Sequence, residues 1–249
     1  MRPGLVALAV TLLLTSAGAA QAQSSLLAGA PEHGPAGALA PRVPDAREVD
    51  ELERLHRASL GVRRSLADAV LIAGLVSVGG GATLIIPDGS DQALRFAGIN
   101  TAIFGAVNTI VGALALRGIG REARAWESAE ARAARRTPGG LVRARIHAAL
   151  DERRESVAHA INLGLGCAYA GVGGTAILAS RLGVDHPDRW LASGVAIGVQ
   201  AAFLIGVDFI GVTRSAGFHR AFVEGLAPTL SVAPTSAGSD TRLGIRGTF

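Results

Sequence analysis

Residues 190–213 read WLASGVAIGVQAAFLIGVDFIGVT, and this stretch decides the fold class. It contains one charged residue and exceeds the roughly 20 residues that a helix needs to cross a ~30 Å hydrocarbon core at 1.5 Å per residue. Three similar stretches precede it, at 66–86, 94–116 and 157–179. We therefore predict an all-α, membrane-embedded antiparallel four-helix bundle built from two helical hairpins.

The composition agrees with this prediction. The chain is 49% hydrophobic with a mean hydropathy of +0.37, and its apolar residues are gathered into blocks instead of alternating with charge. The basic residues, all arginine, give a sequence pI of about 10.7. In a multi-pass protein such residues flank the spans, and no groove-reading module is present. We expect the lipid bilayer as a partner and no binding of nucleic acid.

Both ends of the chain have compositions typical of segments outside a folded bundle. Residues 1–22 combine Arg2, an apolar run over 5–14 and an Ala20-Gln21-Ala22 cleavage pattern, which predicts a bacterial signal peptide. Residues 23–45 are predicted to be a flexible linker rich in Ala, Pro and Gly. Residues 228–249 are predicted to be a flexible tail, with a short strand as the alternative. The bundle is then expected over 46–227.

Capping residues predict that helices extend beyond the apolar segments. Asp45 as N-cap, with Glu48 three residues later, predicts a helix that begins near Ala46 and runs unbroken into the first apolar segment. The second helix is expected to continue through Arg136, because Thr-Pro-Gly-Gly at 137–140 breaks helices.

The extensions are expected on one side of the bundle. The connector 117–156 is predicted to be a helical hairpin standing clear of the bilayer, and helices lying flat on the headgroups are the alternative. The fourth helix is expected to continue to Pro228. The opposite side has only short turns, 87–93 and 182–189, with Pro-Asp-Gly at 87–89 as a turn signal.

Small residues recur every four positions in the third and fourth apolar segments. Such stripes let helix backbones approach closely, so we expect packing surfaces, within one chain or between two copies. The members are Gly166, Ala170, Gly174, Gly194, Gly198, Ala202 and Gly206.

The two hairpins also resemble each other. Gly80-Gly81 and Gly173-Gly174 lie late in the first helix of each hairpin, while Gly98 and Gly194 open the second helices. This pattern indicates an internal duplication in parallel orientation.

Polar residues inside the apolar segments form the candidate site. An ionised Asp near mid-membrane costs roughly 2.5–3.5 kcal/mol, so Asp208 is expected to face the interior with a partner. His159 is the natural candidate, with Asn162 one turn on and on the same face. The whole set is Asp208, His159, Asn162, Asn108, Asp68 and Gln200. These residues act either as interhelical hydrogen bonds or as a proton- or cation-responsive site; we expect no metal and no cofactor.

One further pattern concerns the family. The third segment contains Asn162-Leu-Gly-Leu followed by Tyr169 and Gly173, and the fourth contains Gln200-Ala-Ala-Phe-Leu-Ile-Gly-Val-Asp208. Together with Asn108, these residues resemble an uncharacterised bacterial family of small four-helix integral membrane proteins, over roughly Leu52–Phe222. The resemblance implies the fold and no activity.

Two rules disagree about orientation. The signal peptide predicts that the connector and both termini are periplasmic. The connector's arginines far outnumber those of the turns, which indicates a cytoplasmic connector. We favour the signal peptide.

No residue set amounts to a catalytic signature, so we predict a protein that is not an enzyme. The leading hypothesis is a scaffold or interaction protein of the bacterial inner membrane, associating with itself or with another membrane protein. The alternative is a small proton- or cation-responsive transport or sensing protein centred on Asp208, His159, Asn162 and Asn108.

Overall fold

Helices make up all the regular structure of the described chain. The computed structural model describes residues 43–85, 91–137 and 139–226. The helices are α1 (Ala46–Ile85), α2 (Gln92–Trp126), α3 (Ala129–Arg135), α4 (Gly140–Ala179) and α5 (Pro187–Glu224). This confirms the all-α bundle. The predicted signal peptide, most of the linker, the 87–89 turn and the tail lie outside the described residues.

Local capping explains where α1 begins. The Asp45 backbone N–H donates to Glu48 Oε2 at 2.9 Å, and the Asp45 carboxylate accepts from the Arg47 N–H at 3.3 Å. These bonds satisfy backbone donors that the first helical turn leaves free. The predicted start near Ala46 and the unbroken run into the first apolar segment are confirmed.

The connector differs from its prediction, because the helix expected to reach Arg136 ends at Trp126. Ser128 Oγ accepts from the Ala131 N–H at 3.1 Å and starts α3 as a new helix. The Arg135 guanidinium donates to the Trp126 carbonyl at 2.9 Å and lies over its indole ring, 4.4 Å from the centroid. An arginine from α3 therefore satisfies a carbonyl at the end of α2 and stabilises the break.

Buried positions of the long helices repeat every seven residues. This spacing keeps one face of a 3.6-residue helix against its neighbour when the two coil slowly around each other. The two helices of each hairpin therefore pack along their length through positions seven residues apart. The small-residue stripes predicted contact positions four residues apart. The repeated positions are Leu60, Ala67, Gly74 and Gly81 in α1, Gly98, Gly105, Gly112 and Ile119 in α2, and Gly194, Ala201, Asp208, Ser215 and Phe222 in α5.

Glycine brings the backbones of the α1–α2 hairpin into contact. A Cβ added to Gly105 would lie 2.6 Å from the Val78 nitrogen and 2.7 Å from the Gly74 carbonyl oxygen. Both distances are too short for a real Cβ, so only glycine fits here without a shift of the helices.

The second hairpin uses equivalent glycines. Gly81 faces Gly98 in the first hairpin, and Gly173 faces Gly194 in the second. These four glycines are among those on which the predicted internal duplication rests, and the duplication itself stays a prediction.

The predicted small-residue stripes divide into two groups. Gly166 lies against Ile205 and Gly194 against Ile177, inside the α4–α5 hairpin. A Cβ added to Gly174, Gly198 or Gly206 would meet nothing within 4 Å, and Ala202 is exposed. Ala170 is half-buried. Ala202 and Gly206 therefore face away from the chain's own helices. The Gly198 backbone instead lies beside Gly173 of α4, where a Cβ added to Gly173 would come 3.0 Å from the Gly198 nitrogen.

The extensions of the four long helices pack around one hydrophobic core. Leu52 and Phe222 are 0% and 1% exposed and lie in one cluster with Leu141 and Ala149. The extensions are therefore on the same side, as expected, and pack on each other instead of lying flat. We call this region the extension bundle; it comprises 46–65, 117–126, 140–156 and 214–224. The fourth helix ends at Glu224, earlier than predicted, with Gly225 as its C-cap.

By length and composition, four helices could cross a membrane: α1, α2, α4 and α5. Only 11–22% of their most apolar windows is buried inside the chain. Such open apolar surface suggests a multi-pass membrane protein, since exposing so much apolar area to water is unfavourable.

Candidate functional site

The predicted pair between α4 and α5 is present. His159 Nδ1 lies 2.8 Å from Asp208 Oδ1, and Asp208 is 5% exposed. Gly211, one turn beyond Asp208, leaves room for the imidazole, because a Cβ there would come within 2.5 Å of the ring. The ring is thus held between a carboxylate and a glycine, and it can donate a hydrogen bond to the carboxylate through Nδ1–H.

Two other predicted members lie outside this pair. Asn162 is exposed. It lies three residues after His159, which is about 60° short of a full helical turn, so its side chain points away from the contact between α4 and α5. Asp68 is also on the surface, with Oδ2 4.0 Å from Arg64 Nε in an exposed i,i+4 pair. Neither Asn162 nor Asp68 therefore joins His159 and Asp208 in the predicted polar cluster.

The remaining two members are buried elsewhere. Gln200 Nε2 donates to Ser77 Oγ at 2.8 Å, which joins α5 to α1 and so links the two hairpins. Asn108 is 5% exposed, and its Nδ2 has no hydrogen-bond partner. Gln200 precedes Asp208 by eight residues, about 12 Å along the helix. The predicted set is therefore one pair plus separate polar positions.

A larger polar cluster, absent from the sequence-based set, lies in the extension bundle. The Arg63 guanidinium is 2.9 Å from Glu122 Oε2 and 2.7 Å from Glu155 Oε1. The Arg63 side chain is 13% exposed, so these ion pairs are largely shielded from water. One arginine thereby connects α1, α2 and α4.

Glu152 lies beside Arg63 and completes this Arg63 cluster. It is 3% exposed and accepts hydrogen bonds from the hydroxyls of Ser59 and Ser215. Its Oε2 has no partner. Because Ser215 is on α5, all four long helices meet at the Arg63 cluster.

Burial changes the acidities in this region, which is outside the four apolar segments. Burial raises the pKa of the Glu152 carboxyl, although Ser59 and Arg63 act against that rise. Burial likewise raises the pKa of Glu122 and of Asp151. Burial opposes the charge of Arg63, but Glu155 and Glu122 outweigh it and raise the Arg63 pKa.

His56 is a buried neutral base next to the Arg63 cluster. Its ring stacks on Trp126 with the centroids 3.7 Å apart. Burial, then the positive charges of Arg63 and Arg135, lower its pKa to about 4. The extension bundle thus holds carboxyl groups that favour protonation and a histidine that resists it.

Chemically, these groups can exchange protons and hold helices in register. In the described ranges, no three His, Cys, Asp or Glu side chains are placed to hold a metal ion. For Glu152 the seven-residue spacing was the available signal, because it precedes the buried Gly166 by fourteen residues on the same face of α4.

Comparison with known proteins gives no relative: no family model, curated protein or solved structure matches the chain. The resemblance through Asn162, Gln200 and Asp208 stays a prediction.

Proposed function

We propose that this chain is a non-enzymatic scaffold of the bacterial inner membrane, delivered by its N-terminal signal peptide and associating with further copies of itself. Its apolar segments form the membrane part, and the extension bundle forms a rigid platform beside the membrane.

Self-association is supported by the stripe Gly198-Ala202-Gly206, which is exposed at Ala202 and Gly206 and leaves open space at the Cβ position of Gly198. These residues lie one turn apart on α5, and a Cβ at either glycine would contact nothing. In lipid, small residues at this spacing let a neighbouring helix approach closely, where apolar collapse supplies no driving force. The stripe offers such an approach to a helix of another copy.

The rigidity of the extension bundle supports the platform role. Phe222 and Leu52 are almost fully buried, and Arg63 forms ion pairs with two other helices. Each of the four long helices runs unbroken from an apolar segment into this region, where α2 ends at Trp126. An association in the membrane would therefore fix how the platforms are arranged.

The test is the oligomeric mass of the purified chain in mild detergent. We expect more than one copy in the parent, and a shift to the monomer in Gly198→Leu and Gly206→Leu, with unchanged melting temperature. Gly79→Leu is the matched control, since it also adds a side chain in open space on an apolar segment. A monomeric parent, or an equal loss of mass in the control, would contradict the proposal.

A second candidate function is a proton-responsive transport or sensing role, favoured by the His159–Asp208 pair. Asp208→Asn and His159→Gln would then abolish proton flux in proteoliposomes while stability is retained. The exposed Asp68→Asn serves as the control. No flux in the parent, with stability lost in the variants, would assign the pair to structure.

Orientation follows from the signal peptide in this proposal, which places the extension bundle in the periplasm. A reporter fused after Gly140 that is active only in the cytoplasm would reverse that assignment.

A further inference from the structure

A shallow, open groove of about 420 Å³, lined by two arginines and one glutamate, lies between α4 and α5 at the base of the extension bundle. Its lining includes Arg153, Val157, Ala216, His219 and Arg220. We propose that it binds the headgroup phosphate of an anionic phospholipid, with an acyl chain running toward the apolar segments. The proposal rests on the membrane placement of those segments proposed above.

The groove lies at the level where lipid headgroups are expected. Val157 is the first residue of the apolar segment 157–179, and Ala216 comes three residues after the segment 190–213 ends. The groove therefore straddles the level at which the hydrocarbon core gives way to headgroups. Val157 is 49% exposed, so it leaves apolar surface for an acyl chain at the membrane side.

The charge of the groove suits an anion. Arg153 and Arg220 are exposed, and within the described ranges neither forms an ion pair. By contrast, Arg63 pairs with Glu122 and Glu155. Two unpaired guanidinium groups on opposite walls can both donate hydrogen bonds to phosphate oxygens.

The far end of the groove differs from its membrane side. Glu224 is the acidic residue of the lining, one turn beyond Arg220 and about 6 Å farther from the apolar segment. A carboxylate there can accept hydrogen bonds from the glycerol hydroxyls of phosphatidylglycerol. His219 stays oriented between the two ends, because its Nδ1–H donates to the Ala149 carbonyl at 2.8 Å.

The test is native mass spectrometry of the full chain, released from non-ionic detergent and titrated with phosphatidylglycerol, phosphatidylethanolamine, phosphatidylcholine or inorganic phosphate. We expect preferential retention of phosphatidylglycerol. Arg153→Gln with Arg220→Gln should weaken its binding roughly 25-fold, about fivefold per arginine. The charge-retaining double lysine variant should keep the preference, and circular dichroism should show both variants folded.

The matched control is Arg117→Gln with Arg121→Gln, the same charge change just past the apolar segment of α2. It should change binding less than about twofold. An equal loss in both double variants would show an unselective arginine belt and overturn the groove. Equal binding of the three lipids, or displacement of lipid by millimolar phosphate, would also overturn it.

Carbonate extraction of cell membranes separates the two proposals. A chain released by carbonate would refute the membrane placement itself. A chain that resists extraction and shows no preference for phosphatidylglycerol would refute the groove alone.

Discussion

Gly105→Ala tests whether backbone contact between α1 and α2 stabilises the first hairpin. The added Cβ would lie 2.6 Å from the Val78 nitrogen, 2.7 Å from the Gly74 oxygen and 2.8 Å from Ser77 Cβ. Two of these atoms are backbone, so no side-chain rotation relieves the clash. The helices must separate by roughly 0.9 Å to bring the shortest of these distances to ordinary contact, at about 3.5 Å.

The size of the effect follows from that separation. A gap of roughly 0.5–1 Å forfeits a quarter to a half of each contact's attraction, and overpacking costs about 1–3 kcal/mol. We expect a loss of about 2–3 kcal/mol at Gly105. At roughly 2–4 °C per kcal/mol for a chain of this size, the melting temperature should fall by roughly 4–12 °C.

The assay is thermal melting in detergent, followed by circular dichroism in the helical band. Gly79→Ala is the control, because nothing lies within 4 Å of its added Cβ. Alanine is the better helix former by about 0.5–1 kcal/mol, so this variant should melt at or slightly above the parent temperature. Melting temperatures for the two variants within about 2 °C of each other would refute close backbone packing at Gly105.

Three further predictions concern the polar groups. Arg63→Met should cost about 3 kcal/mol, because it removes the ion pairs of the half-buried Glu122 and Glu155 and the positive charge beside the buried Glu152. The exposed Arg64→Met should cost less than about 1 kcal/mol in the same melts. The pKa of His56 is about 4 in the folded chain, against 6.5 for an unburied histidine. The folded state therefore keeps its full stability above pH 6.5 and loses about 3 kcal/mol through His56 as the pH falls to 4. His56→Phe should therefore lose less stability than the parent between pH 7 and pH 4; equal losses would contradict the assignment. Gln200→Leu and Ser77→Ala should show a coupling of about 0.6–2 kcal/mol in a double-mutant cycle, and additive effects would mean that their hydrogen bond does not link the hairpins.

The parts that could be predicted depend on local chemistry or on a large energetic penalty. Asp45 and Glu48 satisfy nearby backbone groups, so the start of α1 follows from four consecutive residues. Asp208 needed a partner because burying a charge in lipid is costly, and His159 was within reach on the facing helix.

The parts that could not be predicted depend on register between helices far apart in sequence. Arg63 meets Glu122 and Glu155 across separations of 59 and 92 residues, and no local pattern fixes such pairings. The prediction that Asn162 shares a face with His159 failed for a related reason. A rotation of about 60° about the helix axis decides whether a side chain lies between two helices or on the surface. Ser128 was a readable cap, but the absence of proline in 117–136 favoured one continuous helix.

The seven-residue repeat also restricts how the length of each helix can change. Deleting one residue within α2 would turn every later side chain by about 100° and move the glycines beyond it off the α1 surface. Inserting seven residues would restore the contact face and lengthen the helix by about 10 Å. Lineages of this protein should therefore gain and lose residues in the turns, or in the helices only in multiples that preserve the contact face.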